Sequence, residues 1–168
     1  MRGLLTALML AMGLSACGYH LVGQGGDSGV IPEDATQIVV VGNAGKLFTV
    51  FRQKLAQTVD VPVVRAKDAI DDGTGNSIEV RMENFSESMT ASAFDASGIA
   101  NQYRVTISAS LRVLQSGKEL WASEAMSVSG DVFVTGGAVA IEAHKERVSE
   151  SLRDEWVQKA LGRLRSGF

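Results

Sequence analysis

Cysteine is the scarcest residue type in this chain: Cys17 is the only one among 168 residues. No disulfide can form within the chain, so the fold must depend on its hydrophobic core. Histidine is nearly as rare, and the spacing of His20 and His144 does not suit a local metal pair. No serine lies in a G-x-S-x-G elbow, and no nucleophile, base and orienting group can be grouped together. The sequence therefore predicts a protein that is not an enzyme and holds no metal or dissociable cofactor.

Basic charge is also in short supply. The chain has 16 Lys and Arg against 19 Asp and Glu, which gives a formal net charge of −3. Nucleic-acid binding needs a basic footprint, so this balance argues against that class of partner. Beyond the N-terminus, no apolar stretch approaches the roughly 20 residues of a membrane-spanning helix. The remaining length suits one domain with one core.

The N-terminus has the layout of an export signal. Arg2 precedes an apolar run, Leu4–Leu14, which is too short to span a bilayer. The run ends in Leu14-Ser15-Ala16-Cys17, which is the pattern of a bacterial lipobox. In a lipobox the cysteine thiol receives a diacylglyceryl group, the signal is cleaved, and the new amino terminus is acylated. Residues 1–16 are therefore predicted to be a cleaved signal peptide, and Cys17 to carry a covalent lipid.

The residue after the cysteine predicts the destination of the mature protein. It is Gly18 rather than aspartate, so nothing marks the protein for retention at the inner membrane. We therefore expect a lipid anchor in the outer membrane, at its periplasmic face. Acyl chains on one residue provide more than the single chain that gives only marginal membrane binding.

Patterning along the rest of the chain predicts a tether and one domain. Residues 17–34 are rich in glycine and lack sustained periodicity, which is typical of a flexible tether, and residues 35–168 form the predicted domain. Strands are predicted at Gln37–Val41, Ser77–Phe85, Asn101–Leu114 and Glu119–Thr135, with a brief extended edge at Val63-Val64, helices at Lys46–Val59 and Ala138–Arg165, and a long turn at Ser86–Ala100. Each helix has one apolar stripe, and charged residues, Glu146 and Arg153 among them, are predicted on the outer side of the second helix. In Glu119–Thr135, the core side is predicted to include Leu120 and Ala122. The first β-α-β crossover predicts that the first strand is parallel to a neighbour. The predicted fold class is α+β: a two-layer α/β sandwich with two helices packed on one face of a four-stranded mixed sheet, in the order β-α-β-β-β-α.

The uncovered face of this sheet is the candidate docking surface. Strict alternation over Asn101–Leu114 places short hydroxyl side chains and arginines opposite the core residues. Short side chains beside isolated aromatics suit a close-packed protein partner, although an ordinary solvated face has the same pattern. The predicted partner-binding residues are Trp121, Phe133, Ser108, Ser110 and Arg112.

The start of the predicted mature chain resembles a known family. Cys17-Gly18-Tyr19-His20-Leu21-Val22-Gly23 is similar to the C-G-[aromatic]-H-L-x-G start of the LptE family of lipopolysaccharide-assembly lipoproteins. Gln102-Tyr103-Arg104-Val105 resembles the family's entry to its central hairpin. Val128–Gly137, followed by a helix of acidic and basic residues, resembles its last strand and C-terminal helix. The resemblance spans nearly the whole predicted mature chain.

The resemblance implies a function in building the outer membrane. It implies a protein that plugs and helps assemble the LptD barrel, forming the translocon that inserts lipopolysaccharide into the outer leaflet. LptD, lipopolysaccharide and the membrane are the implied partners. Contact with a polyanionic lipid implies local basic groups, for which the candidates are Arg104, Lys118, Lys145 and Arg147. The alternative is a stand-alone envelope lipoprotein that binds a lipid or another outer-membrane assembly machine, and lipid binding would need an open apolar cleft between sheet and helices.

Overall fold

The computed structural model describes residues 29–71, 73–134 and 138–167. The strands are β1 Gln37–Val41, β2 Val63–Arg65, β3 Ser77–Phe94, β4 Ala100–Gln115, β5 Lys118–Ala122 and β6 Met126–Phe133, and the helices are α1 Gly45–Ala56 and α2 Ala138–Ser166. A 3-10 turn at Ala66–Asp68 follows β2. The predicted signal peptide, Cys17 and the first part of the predicted tether lie outside the described residues.

The strands form one mixed sheet in the order β2-β1-β3-β4, with β5 and β6 both paired to β4. β1 is parallel to β2 and to β3, and all other pairs are antiparallel. β5 pairs with the C-terminal end of β4 through Arg112–Gln115, while β6 pairs with its first part through Gln102–Ala109. Two helices on a mixed sheet and the parallel pairing of β1 are therefore confirmed.

The predicted count of four strands is wrong, because the sheet has six. The short edge at Val63–Arg65 is a full member of the sheet, paired with β1. The segment predicted as one strand over Glu119–Thr135 is two strands, separated at residues 123–125. In this break Ser123 bonds back to Leu111, with its N–H donating to the Leu111 carbonyl at 2.8 Å and its hydroxyl accepting from the Leu111 N–H at 2.9 Å. These bonds end one strand and start the next.

The predicted long turn at Ser86–Ala100 is also wrong, because β3 continues to Phe94 and only residues 95–99 turn. Asn84 adopts a positive φ of 54°, and a bulge between Glu83 and Ser86 shifts the register against β4. Asparagine tolerates this backbone conformation better than most residues. Before the bulge, the even-numbered residues of β3 face the helices, and after it the odd-numbered residues do. The apolar alternation of the first half of β3 therefore stops at the bulge.

The core lies between the sheet and the two helices. Alternate residues of β4 from Val105 to Val113 are at most 1% exposed, which confirms their predicted orientation. Leu47, Phe51 and Leu55 of α1 and the predicted apolar stripe of α2 cover them. Trp156 is fully buried at the centre of α2, 6.1 Å from Phe51 between ring centroids in an edge-to-face arrangement. Among the described residues, no helix is both long and apolar enough for a membrane crossing.

The start of the described chain is docked at one end of this core. The Val30 N–H donates to the Leu164 carbonyl near the end of α2 at 2.9 Å, and Val30 and Ile31 pack against the core. The hairpin between β3 and β4 lies at the other end of the core. The C-terminal part of β4 pairs with β5 beside the end of α2, whereas the first part of β4, next to the hairpin, pairs with β6 and lies towards the start of α2. We call the outer part of this hairpin, Ser86–Phe94 with Ala100–Ser108, the arm.

Candidate functional site

The open face of the arm carries an ordered array of hydroxyl groups. The register aligns Ser86, Ser108 and Ser127 in one row across three strands, and Ser88, Thr106 and Ser129 in the next. We call these six residues the hydroxyl face. Neighbouring strands lie about 4.8 Å apart and alternate residues about 6.7 Å apart along a strand, so the face is a regular array of short side chains.

The hydroxyl face contains no charged side chain, but ion pairs border it at both ends. On one side, Arg104 binds Asp131 across the strands with a Nε–Oδ1 distance of 3.0 Å. The hydrogen bond that Arg104 donates to Asp131 raises the pKa of Arg104, so the guanidinium keeps its charge. On the other side, Arg112 lies 3.3 Å from both Glu83 and Glu119. The basic groups next to the face are therefore already neutralised by carboxylates.

The structure places most of the predicted partner-binding residues on this open side of the sheet. Ser108 belongs to the hydroxyl face, Arg112 borders it, and Phe133 extends it with a ring that is 53% exposed. Ser110 is on the same side but only 8% exposed, because it accepts a hydrogen bond from Asn84 at 3.0 Å and donates to the Glu83 carbonyl. Ser110 therefore closes the bulge of β3 and offers little surface to a partner.

The predicted orientation of Trp121 is wrong. It pairs with Val113, a core residue, so its ring faces the helices, and its Nε1 donates to the Gly167 carbonyl at 3.2 Å. A bulge between Val113 and Leu114 reverses the expected alternation of β5. For the same reason Leu120 and Ala122, expected on the core side, are exposed. Trp121 of β5 thus links the sheet to the residue that follows the end of α2.

The four basic residues predicted to contact lipopolysaccharide do not form one group. Arg104 lies on the open side of the arm, and Lys118 starts β5 beyond the tight β4–β5 turn, about 36 Å further along the sheet at the usual rise per residue. Lys145 and Arg147 lie on α2, across the sheet from Arg104. Lys145 already pairs with Glu142 at 3.1 Å. No concentrated basic site results from these four positions.

The tip of the arm exposes apolar side chains on a rigid turn. Phe94 is 60% exposed and Ile99 is 65% exposed. Between them, the Asp95 carboxylate accepts the backbone N–H groups of Ser97 at 2.8 Å and Ile99 at 2.9 Å. These bonds, led by that of Ile99, lower the pKa of Asp95, so the turn keeps its charged cap in neutral solution. Phe133 lies one residue pair from the tip, so three exposed apolar side chains lie close together beside the charged Asp95.

A charge cluster around the buried Arg153, which the sequence analysis missed, joins the arm to the helices. Arg153 is 6% exposed and binds Glu87 of β3 at 3.2 Å and Glu146 at 3.2 Å. The Ser149 hydroxyl donates to Glu87 at 2.9 Å, and Lys46 of α1 pairs with Glu146 at 2.6 Å. Hydrogen bonds from Lys46 and then Arg153 lower the pKa of Glu146. The five residues join β3, α1 and α2.

Sequence reasoning placed Glu146 and Arg153 on the outer surface of the last helix, and for Arg153 this is wrong. A signal was present, since Ser149 and Arg153 are four residues apart and follow the edge of the apolar stripe. Their partner Glu87 was hidden in the segment interpreted as a turn. Among the described residues, no group of histidine, cysteine and carboxylate side chains could hold a metal ion.

Comparison with solved structures shows that this fold occurs in bacterial lipoproteins. Lipoprotein B from Nitrosomonas europaea matches with a TM-score of 0.64 at 11% identity, over 88% of this chain and 90% of its own. Rare lipoprotein B from Shewanella oneidensis matches with a TM-score of 0.60 at 18% identity, over 78% and 95% of the two chains. A minor lipoprotein from Acinetobacter baumannii gives 0.60 at 7% identity, over 79% and 92%.

Sequence comparisons add nothing to this likeness. No protein-family model matches the chain, and no curated protein matches it. At the identities found, the structural likeness establishes the fold, a two-layer arrangement shared with lipoproteins of several bacteria.

Proposed function

We propose that this chain is an outer-membrane lipoprotein of the LptE kind, anchored through Cys17 at the periplasmic face. It plugs the LptD barrel and helps it assemble, and together they form the translocon that inserts lipopolysaccharide into the outer leaflet. It acts without catalysis. Two independent features support the proposal: the lipobox with its LptE-like opening residues, and a fold that bacterial lipoproteins share.

The observation that carries the plugging role is the hydroxyl face. Short hydroxyl side chains let another surface approach closely, and they can donate and accept hydrogen bonds with a polar wall. The interior of a large outer-membrane barrel is such a wall, since its inward-facing side chains are polar. The neutralised ion pairs at the borders of the face, Arg104 with Asp131 and Arg112 with Glu83, bring no unpaired charge into the contact.

The part of the chain that the structure describes favours the lipid-carrier alternative less, because the apolar cavity between the ends of the two helices, beside Ile31, Leu55 and Leu161, has a volume of only about 200 Å³. The layer between sheet and helices is closed, with Leu111, Val113 and Trp156 at most 1% exposed. A groove of about 380 Å³ between α1 and α2 has four charged residues in its lining, and an acyl chain there would remove these charges from water. Its lining residues are Lys46, Thr49, Val50, Glu150, Arg153 and Asp154.

The lipid anchor is tested by replacing Cys17 with serine. Without the thiol no diacylglyceryl group can be attached, and the lipoprotein signal is not processed. We expect an uncleaved precursor that incorporates no radiolabelled palmitate, while Ser15→Ala, which keeps a small residue before the cysteine, is labelled normally. Lipid incorporation and mass spectrometry of the first residue measure the outcome. A soluble wild-type protein with an unmodified Cys17 would contradict the anchor.

Docking through the hydroxyl face is tested by Ser129→Glu. Ser129 is exposed on β6, so the domain should fold normally, but a carboxylate in the middle of a close-packed polar contact is left without a partner. We expect at least about a tenfold loss of association with LptD, corresponding to about 1.4 kcal/mol. Co-purification from outer membranes, followed by titration of the purified partners, measures it.

Ser151→Glu is the matched control, because Ser151 is exposed on α2 and lies in the other layer of the sandwich. It should leave association unchanged. If Ser129→Glu pairs with LptD as well as Ser151→Glu does, the hydroxyl face is not the docking surface. If the wild-type lipidated protein elutes without a large barrel protein, the plugging role itself is wrong.

A further inference from the structure

Among the strands that the structure describes, the outer half of β3 has a partner on one side only. β1 pairs with β3 only over Ser77–Arg81, and from Ser86 to Phe94 the pairing that the structure describes runs to β4 alone. In an antiparallel ladder, about every second residue directs its N–H and C=O away from the paired strand. The side of Ser86–Phe94 turned away from β4, which we call the free edge, therefore presents unpaired main-chain groups over about 30 Å.

The free edge lacks the features that usually protect an exposed strand. It contains no proline, lysine or arginine, and its one charged residue is Glu87. The Glu87 carboxylate is turned inwards and bound by Arg153 and Ser149, so it does not repel an approaching strand. Ser86, Ser88, Thr90 and Ala91 are small and exposed. The bulges at either end of this stretch leave Ser86–Ala91 in regular pairing with β4.

A cavity lies beside the free edge on the helix side of the sheet. It has a volume of about 330 Å³ and is lined by Glu87, Ser88, Met89, Val105 and Lys145. A strand placed next to β3 directs alternate side chains towards this side, where one of them can enter the cavity. Main-chain pairing and a side-chain pocket are the two elements of peptide recognition by strand addition.

From this edge and its cavity we infer that the arm binds a partner by strand addition, taking an extended segment of another polypeptide along Ser86–Ala91. A second copy of this chain, paired through the same edge, cannot fill the cavity with its own Glu87 or Met89, because Glu87 is held by Arg153 of its own α2 and Met89 packs against its own core. The inference rests on the proposed function and specifies its contact. The strands of a closed barrel have no free edge, so the added segment comes from a loop or terminal part of LptD.

Hydrogen exchange of the full lipidated protein, alone and in complex with LptD, tests the inference. In the free protein, the outward amides of Ser86–Ala91 exchange quickly. In the complex we expect about half of the amides in this stretch to slow by about 100-fold, because they donate to the added strand. A stable complex in which these amides exchange as in the free protein overturns strand addition and leaves the plugging role intact. Failure to form any complex overturns both.

A pair of substitutions at Met89 gives a second measurement. Met89 is half-buried beside the cavity, near Lys145. Met89→Lys places a second ammonium there and opposes entry of a partner side chain, so we expect at least about tenfold weaker binding to LptD. Met89→Leu keeps the apolar lining and should bind within about twofold of wild type. Equal binding by the two variants, with unchanged thermal unfolding, contradicts the cavity's role.

Discussion

Arg153→Met is expected to lower the free energy of unfolding by about 3 kcal/mol. The substitution keeps the length of the side chain but leaves Glu87, whose side chain is 29% exposed, without the guanidinium that neutralises it. Partial exposure of Glu87 and its bond from Ser149 put the expected loss at the low end of the range for broken buried pairs. Urea denaturation of residues 29–168, without the predicted signal peptide and lipid anchor, measures the change.

Two further variants distinguish the loss of the Arg153 contacts from the general effect of removing a positive charge. Arg147→Met removes an exposed arginine from the same helix and should cost less than about 0.5 kcal/mol. Glu87→Gln with Arg153→Met removes both charges, so it should recover at least about 1 kcal/mol relative to Arg153→Met alone. If Arg153→Met costs no more than Arg147→Met, the cluster does not hold the arm to the helices.

Trp156→Ala is expected to cost about 3–5 kcal/mol, the range for large buried aromatic residues. The side chain is fully buried, contacts Phe51 edge to face, and donates from Nε1 to the Met126 carbonyl at 2.8 Å. Its removal leaves a cavity at the centre of the core and an unbonded carbonyl at the start of β6. Denaturation followed by circular dichroism measures the loss, which should be large enough to unfold part of the population at 37 °C.

Trp156→Phe isolates the hydrogen bond from most of the packing. It keeps an aromatic ring but removes the donor to Met126, so we expect a smaller loss of about 1–3 kcal/mol. Trp121→Phe is the matched control: it also removes a donor to a carbonyl, but at a half-buried position at the end of α2, and should cost less. Equal losses at the two positions would show that Trp156 is not the centre of the core.

The sequence predicted the buried residues correctly where one periodic pattern continued without interruption through a whole strand or helix. The alternation over β4 and the apolar stripe of α2 identified the core residues, because every second strand residue and every third or fourth helix residue faces the same layer. The prediction failed where a bulge changed the period. The bulge at Asn84 hid the outer half of β3, and the bulge after Val113 reversed the expected orientation of Trp121.

The candidate site was predictable in part for the same reason. Ser108, Arg112 and Phe133 lie on the open side of the sheet because they follow an uninterrupted alternation. Ser86 and Ser88, which complete the rows of hydroxyl groups, were assigned to a turn and so could not be aligned with β4. Lipidation of Cys17 remains a prediction because this residue lies outside the described residues, and the roles of the basic residues remain predictions as well.

The sequence alone predicted most of the core residues, two helices on one face of a mixed sheet, and a lone cysteine in the pattern of a lipobox. These features are local, since each follows from the spacing of residues within a single segment. Only the tertiary structure decided that Glu87 meets Arg153 across 66 residues and that the outer half of β3 has a free edge. Both depend on which strands become neighbours, and that depends on the packing of the whole chain rather than on the pattern of any one segment.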